Sequence, residues 1–202
     1  MATLAPDPLP VTATAGERTV AAALRQHLPG GVVWYEPRLP VAPRRVLRPD
    51  FLVLGRRGLV VLEVKGWRRR DVLDAGPNRV ELERGRAGSP EVQAFRYTIA
   101  LRALLGADPT GAVPVRDGLV LPFIARPQLA AAPWAAALDP AHLITRDDLG
   151  RDLPARLRAL PPADAAVLAP ATVAALHSLL AARLALPAPP ADAAQPVLFD
   201  DP

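Results

Sequence analysis

Apolar residues recur at two different spacings along the chain, and each spacing predicts a different kind of element. Residues 16–28 are apolar at every third or fourth position and predict a helix that ends before Pro29. Residues 90–105 predict a second helix, for which Ser89 is the expected N-cap. Continuous β-branched and apolar runs predict strands at residues 32–35, 51–54, 59–64 and 119–125. The expected order is helix, three strands, helix and strand, which is an α/β arrangement.

The segments outside this core have weaker patterns. Residues 39–48 contain prolines and arginines and predict a basic loop, and residues 79–83 predict a short strand. Further along, the pattern predicts a short strand at 142–145 and helices at 147–160 and 171–184. We therefore expect a loose leader at 1–14, a core at 15–126, a mostly helical extension at 127–186 and a flexible Ala/Pro tail at 187–202.

Residues 55–58 form a short glycine-flanked connection between the two strongest strands, which predicts a β-hairpin. If the turn is centred between residues 56 and 57, Asp50 lies opposite Glu63. Opposed residues of an antiparallel pair point to one face, with Cβ atoms roughly 5 Å apart. Lys65, two residues beyond Glu63, points to that face as well. A slip of one residue would leave both carboxylates at the same end of the hairpin.

Composition singles out one of these three residues. The chain has 202 residues and 24 basic side chains, and Lys65 is the only lysine among them. The absence of cysteine excludes disulfides, thiolate metal sites and cysteine nucleophiles. A net charge of +4 is compatible with a nucleic-acid partner but does not require one. No apolar run approaches the ~18 residues of a membrane span and no secretory signal is recognised, so we expect a cytoplasmic protein without a membrane partner.

Two carboxylates beside a lysine suggest a metal site. Carboxylates this close raise each other's pKa, and a divalent cation such as Mg²⁺ (or Mn²⁺) relieves the repulsion through hard oxygen ligands. An ammonium is more compact than a guanidinium and loses its proton more readily, so arginine is a poor replacement for Lys65. The alternative is structural: Asp50 begins a strand after proline, and Glu63 and Lys65 form an exposed pair at a strand end.

The order of motifs resembles the PD-(D/E)xK nuclease superfamily. Pro49-Asp50 is followed by Glu63-Val64-Lys65, and the helix after that strand carries Gln93-Ala94-Phe95-Arg96-Tyr97, a Q-x-x-x-Y as in RecB-like exonuclease domains. Gly16-Glu17, Gly58-Leu59, Gly66-Trp67 and Gln93-Ala94 extend the resemblance to the nuclease-related domain (NERD) family over about residues 15–125. The resemblance implies a restriction-endonuclease-like core with a mixed sheet and a helical C-terminal extension.

The resemblance also implies roles for individual residues. Asp50, Glu63 and the carbonyl of Val64 would hold the metal, joined by Glu17 directly or through water. Lys65 would position or activate the attacking water, and Gln93 would orient a ligand, a water or the lysine. The expected nucleic-acid contacts are Arg44, Arg45, Arg48, Arg68, Arg69, Arg70 and Tyr97.

We therefore expect a metal-dependent nuclease that acts on nucleic acid, most simply DNA, in repair or processing. The alternative is a catalytically silent nucleic-acid-binding or helicase-associated module of the same fold. Near the C-terminus, Gln195, Leu198 and Phe199 resemble the Q-x-x-L-F peptide with which bacterial DNA-repair proteins dock on the sliding clamp. A linker remnant next to a lost helicase domain is the other interpretation of this tail.

Overall fold

The computed structural model describes residues 2–42, 45–106 and 113–184. Its strands are β1 (Thr3–Ala5), β2 (Val32–Tyr35), β3 (Leu39–Ala42), β4 (Arg45–Leu47), β5 (Phe51–Gly55), β6 (Gly58–Val64), β7 (Val72–Ala75), β8 (Arg79–Leu82), β9 (Gly85–Gly88), β10 (Val115–Leu121) and β11 (Leu143–Thr145). Its α-helices are α1 (Ala15–His27), α2 (Pro90–Leu105), α3 (Arg126–Ala130), α4 (Leu153–Ala159) and α5 (Pro170–Arg183). Short 3₁₀ turns occupy Arg69–Asp71, Pro133–Ala137 and Arg146–Asp148.

A six-stranded mixed sheet forms the centre, in the order β1-β2-β5-β6-β10-β11. β5 pairs with β2 and with β6 in antiparallel orientation, whereas β10 runs parallel to both β6 and β11. Two small antiparallel sheets, β3-β4 and β7-β8-β9, lie outside it. The mixed sheet, its flanking helices and the helical C-terminal part confirm the predicted fold class.

Alternation along the central hairpin sends successive side chains to opposite faces of the sheet. Phe51 and Val53 pack with α1 and α4 in one core cluster. Leu52 and Leu54 pack with α2 and α5 in the other. Residues with even numbers on β5 and odd numbers on β6 thus face α2, and this parity directs Asp50 and Glu63 to the same side.

The hairpin register is the one that the sequence predicts. Phe51 pairs with Leu62, and Gly55 pairs with Gly58, so the turn is centred between residues 56 and 57. β5 and β6 are buried along their whole length, and β6 lies between β5 and β10 in the middle of the sheet. The site at the end of this hairpin is therefore built on a rigid part of the fold.

We predict that Gly58→Ala destabilises the fold by about 2–4 kcal/mol. Gly58 has a φ of +91°, and a Cβ at this position would lie 2.2 Å from the carbonyl oxygen of Pro114. That oxygen also accepts a hydrogen bond from Leu59, which holds β6 against the start of β10. Urea unfolding, monitored by circular dichroism, measures the loss.

The matched control for this prediction is Gly85→Ala. Gly85 has a φ of +126°, but a Cβ there would meet no atom within 4 Å. We expect this variant to lose only the backbone cost of about 1 kcal/mol. Equal losses in the two variants would show that the contact with Pro114 contributes nothing.

Two N-terminal segments differ from the prediction. Residues 1–14 were expected to be a loose leader, but Thr3–Ala5 forms β1, which runs parallel to β2, and Leu4 is buried. The basic loop expected at residues 39–48 contains the hairpin of β3 and β4. All three strands are only three or four residues long, so their sequences carry almost no alternation from which a strand is recognised.

The last core strand and the helix expected at residues 147–160 also differ from the predicted bounds. β10 begins at Val115 and ends at Leu121, earlier than the expected 119–125. The prediction began too late because it excluded Arg116, a charged residue that is buried inside the strand. Of the helix expected at 147–160, only α4 is α-helical, because a 3₁₀ turn and a further turn occupy the residues before Leu153. No helix within the described ranges is both long and apolar enough to cross a membrane.

Candidate metal-dependent nuclease site

The candidate site lies where the central hairpin ends, on the face that α2 covers. Asp50 directly precedes β5, and one of its carboxylate oxygens accepts a hydrogen bond of 2.6 Å from the backbone N–H of Val64. This bond spans the two strands and fixes Asp50 beside the end of β6. Asp50 and Glu63 therefore meet as the hairpin register predicts.

Glu63 is almost fully buried, with 1% of its surface exposed. It lies on β6 with β5 on one side and β10 on the other, opposite Leu119 of β10. Its Oε1 accepts a hydrogen bond of 2.5 Å from Nζ of Lys65. Its Oε2 is buried and has no hydrogen-bond partner among the described residues. A buried carboxylate oxygen without a donor is costly, so this atom points to a ligand.

Lys65 connects the end of β6 to α2. Its backbone N–H donates to the carbonyl of Val120 at 2.9 Å, which continues the pairing with β10 by one residue. Its Nζ contacts Glu63 and also lies 3.4 Å from Oε1 of Gln93. The Lys65 side chain is 21% exposed, and its ammonium is held by these two partners.

Gln93 is in turn oriented by Tyr97, one turn later on α2. Its Nε2 donates a hydrogen bond of 2.7 Å to the Tyr97 hydroxyl. Tyr97 is 5% exposed and belongs to the core cluster beneath α2, where burial raises its pKa to about 12. The ring of Tyr97 is thus covered and its hydroxyl is engaged by Gln93, and the expected contact of Tyr97 with nucleic acid stays a prediction.

Glu17 approaches the site from the other face of the sheet. Thr14 and Glu17 form a capping box at the start of α1, in which Oε2 of Glu17 accepts from the backbone N–H of Thr14 at 2.7 Å. The same oxygen accepts a bond of 2.8 Å from the hydroxyl of Tyr35 at the end of β2. Helix capping therefore explains some of the contacts of Glu17. Its negative charge also raises the pKa of Asp50 and of Glu63.

Tyr35 is the residue of this cluster that sequence reasoning missed. Its pKa is raised by burial and by the hydrogen bond to Glu17. The available signal was its place at the end of the strand next to β5, which puts it at the same sheet edge as Asp50. No motif marks it, because its contact with Glu17 joins residues 18 positions apart.

The electrostatics of the paired carboxylates are those of a site that lacks positive charge. Burial, and then the negative charge of Glu63, raise the pKa of Asp50 to about 7 despite the hydrogen bond from Val64. Burial also raises the pKa of Glu63, against the opposing effect of Lys65. One ammonium therefore compensates the two acids only in part, and a divalent cation would complete the balance.

The donor set fits a hard divalent cation of the Mg²⁺ or Mn²⁺ type. Asp50 and Glu63 offer carboxylate oxygens, and such ions are bound by one or two carboxylates with water in the other positions. Within the described ranges, no group of three or more acidic, histidine or cysteine side chains converges. Glu17 is thus not brought into a common cluster of ligands, and a link through water, like the carbonyl of Val64, stays a prediction.

The predicted arginine rim is only partly described. Arg68, Arg69 and Arg70 are exposed on the 3₁₀ turn that follows Lys65, and Arg45 and Arg48 are exposed between β3 and Asp50. Arg44 lies outside the described residues, as do Gln195, Leu198 and Phe199 of the tail peptide. The three arginines behind Lys65 thus stand on a turn of defined geometry.

The model of the nuclease-related domain matches residues 12–122, which is more than half of the chain. The chain belongs to the nuclease-related domain family. Among curated proteins and solved structures, no match was found. The matched segment runs from just before α1 to just after β10, so it contains Glu17, Asp50, Glu63, Lys65 and Gln93. In this member of the family, β11 and helices α3 to α5 lie beyond the matched segment.

Proposed function

We propose that the protein is a metal-dependent nuclease that hydrolyses phosphodiester bonds in DNA. Membership of the nuclease-related domain family supports a nuclease-related function. The observation that carries the proposal is the convergence of Asp50, Glu63 and Lys65, with the buried Oε2 of Glu63 left without a partner. A bound cation would supply this oxygen with a partner.

Each residue has a part that follows from its contacts. Asp50 and Glu63 would hold Mg²⁺ or Mn²⁺, which when bound polarises a phosphoryl oxygen and acidifies a water. Lys65 places a positive charge beside Glu63, where it orients the attacking water or faces the phosphate. Gln93 limits the positions open to the lysine, and Tyr97 fixes Gln93. Glu17 contributes negative charge that favours cation binding.

A cleavage screen tests the proposal directly. Purified protein is incubated with linear, nicked, single-stranded and branched DNA and with RNA, in Mg²⁺, in Mn²⁺ or in EDTA. We expect cleavage of at least one DNA substrate with either metal and none in EDTA. Strong DNA binding without cleavage of any substrate would contradict the proposal and support the catalytically silent module.

We also propose that the C-terminal tail recruits the enzyme to a sliding clamp during DNA repair. The support is the peptide Gln195-Pro196-Val197-Leu198-Phe199 alone, an apolar anchor after an Ala/Pro segment. Replacement of both Leu198 and Phe199 with alanine should abolish binding to purified clamp in a pull-down and leave cleavage of short oligonucleotides unchanged. Equal recovery of both proteins, or of neither, would contradict the proposal and favour a linker remnant.

A further inference from the structure

A basic groove adjoins the candidate site, and one of its walls comes from outside the matched family segment. The groove has a volume of about 460 Å³. Its lining residues are Arg68, Arg69, Arg70, Phe123, Gln128 and Arg146. The first three follow Lys65, whereas the last three belong to the chain after β10. The extension, for which the sequence indicates no role, thus forms half of a positively charged concavity.

The groove begins one residue from Lys65. A Cβ built on Gly66 would lie 3.7 Å from the ring of Phe123, so the backbone next to the lysine rests against this ring. Phe123 is half-buried, and its ring also lines the groove. The groove thus adjoins the backbone that directly follows Lys65.

Both walls of the groove are fixed by hydrogen bonds. The carboxylate of Asp71 accepts from the backbone N–H of Arg68 at 2.7 Å and closes the 3₁₀ turn of the arginines. The guanidinium of Arg69 donates to the carbonyl of Ala131 at 3.2 Å, which ties this turn to the extension. On the opposite wall, Asp148 accepts from the backbone and the hydroxyl of Thr145 at 2.7 Å. Arg146 is thereby placed on an anchored turn.

The positive charge of the groove is not neutralised within the described ranges. No acidic side chain lines it. The ion pairs that its arginines make, Arg70 with Asp71 and Arg146 with Asp147, are both 3.9 Å long and lie on exposed surface. Such exposed pairs contribute little, so the guanidinium groups are available to a polyanion.

We infer that this groove binds a single nucleic-acid strand that leads into the cleavage site. The inference rests on the proposed function. Arginines that track a phosphate backbone beside an aromatic ring on which a base stacks are the usual combination for single strands. A volume of about 460 Å³ is in the range of small-molecule sites and accommodates a nucleotide or two. Arg68, Arg70 and Arg146 bind phosphates, and Phe123 stacks on a base.

Binding measurements in a Lys65→Ala background test the groove without cleavage. Fluorescence anisotropy gives the dissociation constant of labelled single-stranded and duplex oligonucleotides as a function of salt. We expect Arg146→Ala to weaken single-strand binding about 3- to 10-fold and to lower the slope of log K against log[salt] by about 0.7. Phe123→Leu, which keeps an apolar side chain against Gly66, should weaken single-strand binding at least about 5-fold and duplex binding far less.

The control is Arg25→Ala, which removes an equally charged, half-buried arginine from the last turn of α1, where it pairs with Asp7 away from the groove. Equal loss of affinity in Arg146→Ala and Arg25→Ala would overturn the inference. Equal loss of duplex and single-strand binding in Phe123→Leu would overturn it in favour of a duplex. Binding that depends on the groove in a protein that cleaves nothing would support a single-strand site in the groove and refute the nuclease. Metal-dependent cleavage with an unchanged KM in Arg146→Ala would support the nuclease and refute the inferred role of the groove.

Discussion

Replacing Lys65 with alanine is expected to slow phosphodiester cleavage by about 10²- to 10⁴-fold. The ammonium is the positive charge that contacts Glu63, at 2.5 Å, and its removal leaves the buried carboxylate uncompensated on both oxygens. The single-turnover rate with excess enzyme measures the loss, and anisotropy measures DNA affinity in parallel. We expect affinity to change by no more than about threefold, because the arginines behind Lys65 are retained.

Lys65→Arg is the matched control, since it keeps the charge and changes only its shape. The gap between Glu63 and Gln93 holds a compact ammonium, and a planar guanidinium fork does not place one donor at the same point. We expect the arginine variant to recover less than about a tenth of the wild-type rate. Near-complete recovery would mean that positive charge suffices, and full activity in Lys65→Ala would exclude the proposed catalytic role.

This control also bears on the composition of the chain. All 23 other cationic residues are arginine, and the one lysine lies between a buried glutamate and an amide of α2. Where a basic side chain lies on the surface, as in the turn of Arg68 to Arg70, charge alone serves its purpose. Beside Glu63 the size of the cationic group matters as well, and this gives a physical reason for the lysine.

The pairing of Asp50 with Glu63 was predictable from the sequence because it depends on two simple periods. A glycine-flanked turn sets which residues of a hairpin oppose each other, and alternation sets the face to which they point. The structure has the register centred between residues 56 and 57 and places both carboxylates at the α2 face. Gln93 was a candidate only through the resemblance of its Q-x-x-x-Y segment to RecB-like domains, and the helical period then places Tyr97 one turn later on the same face.

Other features could not be predicted, because they depend on contacts between distant segments. β1 is a strand only because the edge of β2 is available to it and Leu4 reaches the core. Arg116 is tolerated inside β10 since its guanidinium donates to the carbonyls of Arg57, Leu157 and Arg158. The tie between Arg69 and the extension likewise joins residues 62 positions apart, and no local pattern encodes it.

Asp50→Asn should abolish cleavage and yet stabilise the metal-free protein. The folded state raises the pKa of Asp50 from 3.8 to about 7, so the native protein binds a proton that the unfolded chain has already released. Native stability therefore falls as the pH rises from about 4 to about 7, and the loss is complete above that range. Because this half-buried group is partly screened by water, we expect the loss to be about 2 kcal/mol at pH 8. Asparagine carries no charge to repel Glu63, and its side-chain oxygen still accepts from Val64.

Thermal melts in EDTA and in Mg²⁺ at pH 4 and pH 8 measure this effect. In EDTA at pH 8 the variant should melt about 4–8 °C above the wild type, whereas at pH 4 the two should coincide. Mg²⁺ should raise the melting temperature of the wild type and leave that of the variant unchanged, because a site with one carboxylate less no longer binds the ion well. Asp74→Asn, on the exposed side of β7, is the control and should change none of these values. A variant that melts below the wild type at pH 8, or that Mg²⁺ stabilises to the same extent, would show that Asp50 is not held in an electrostatically strained metal site.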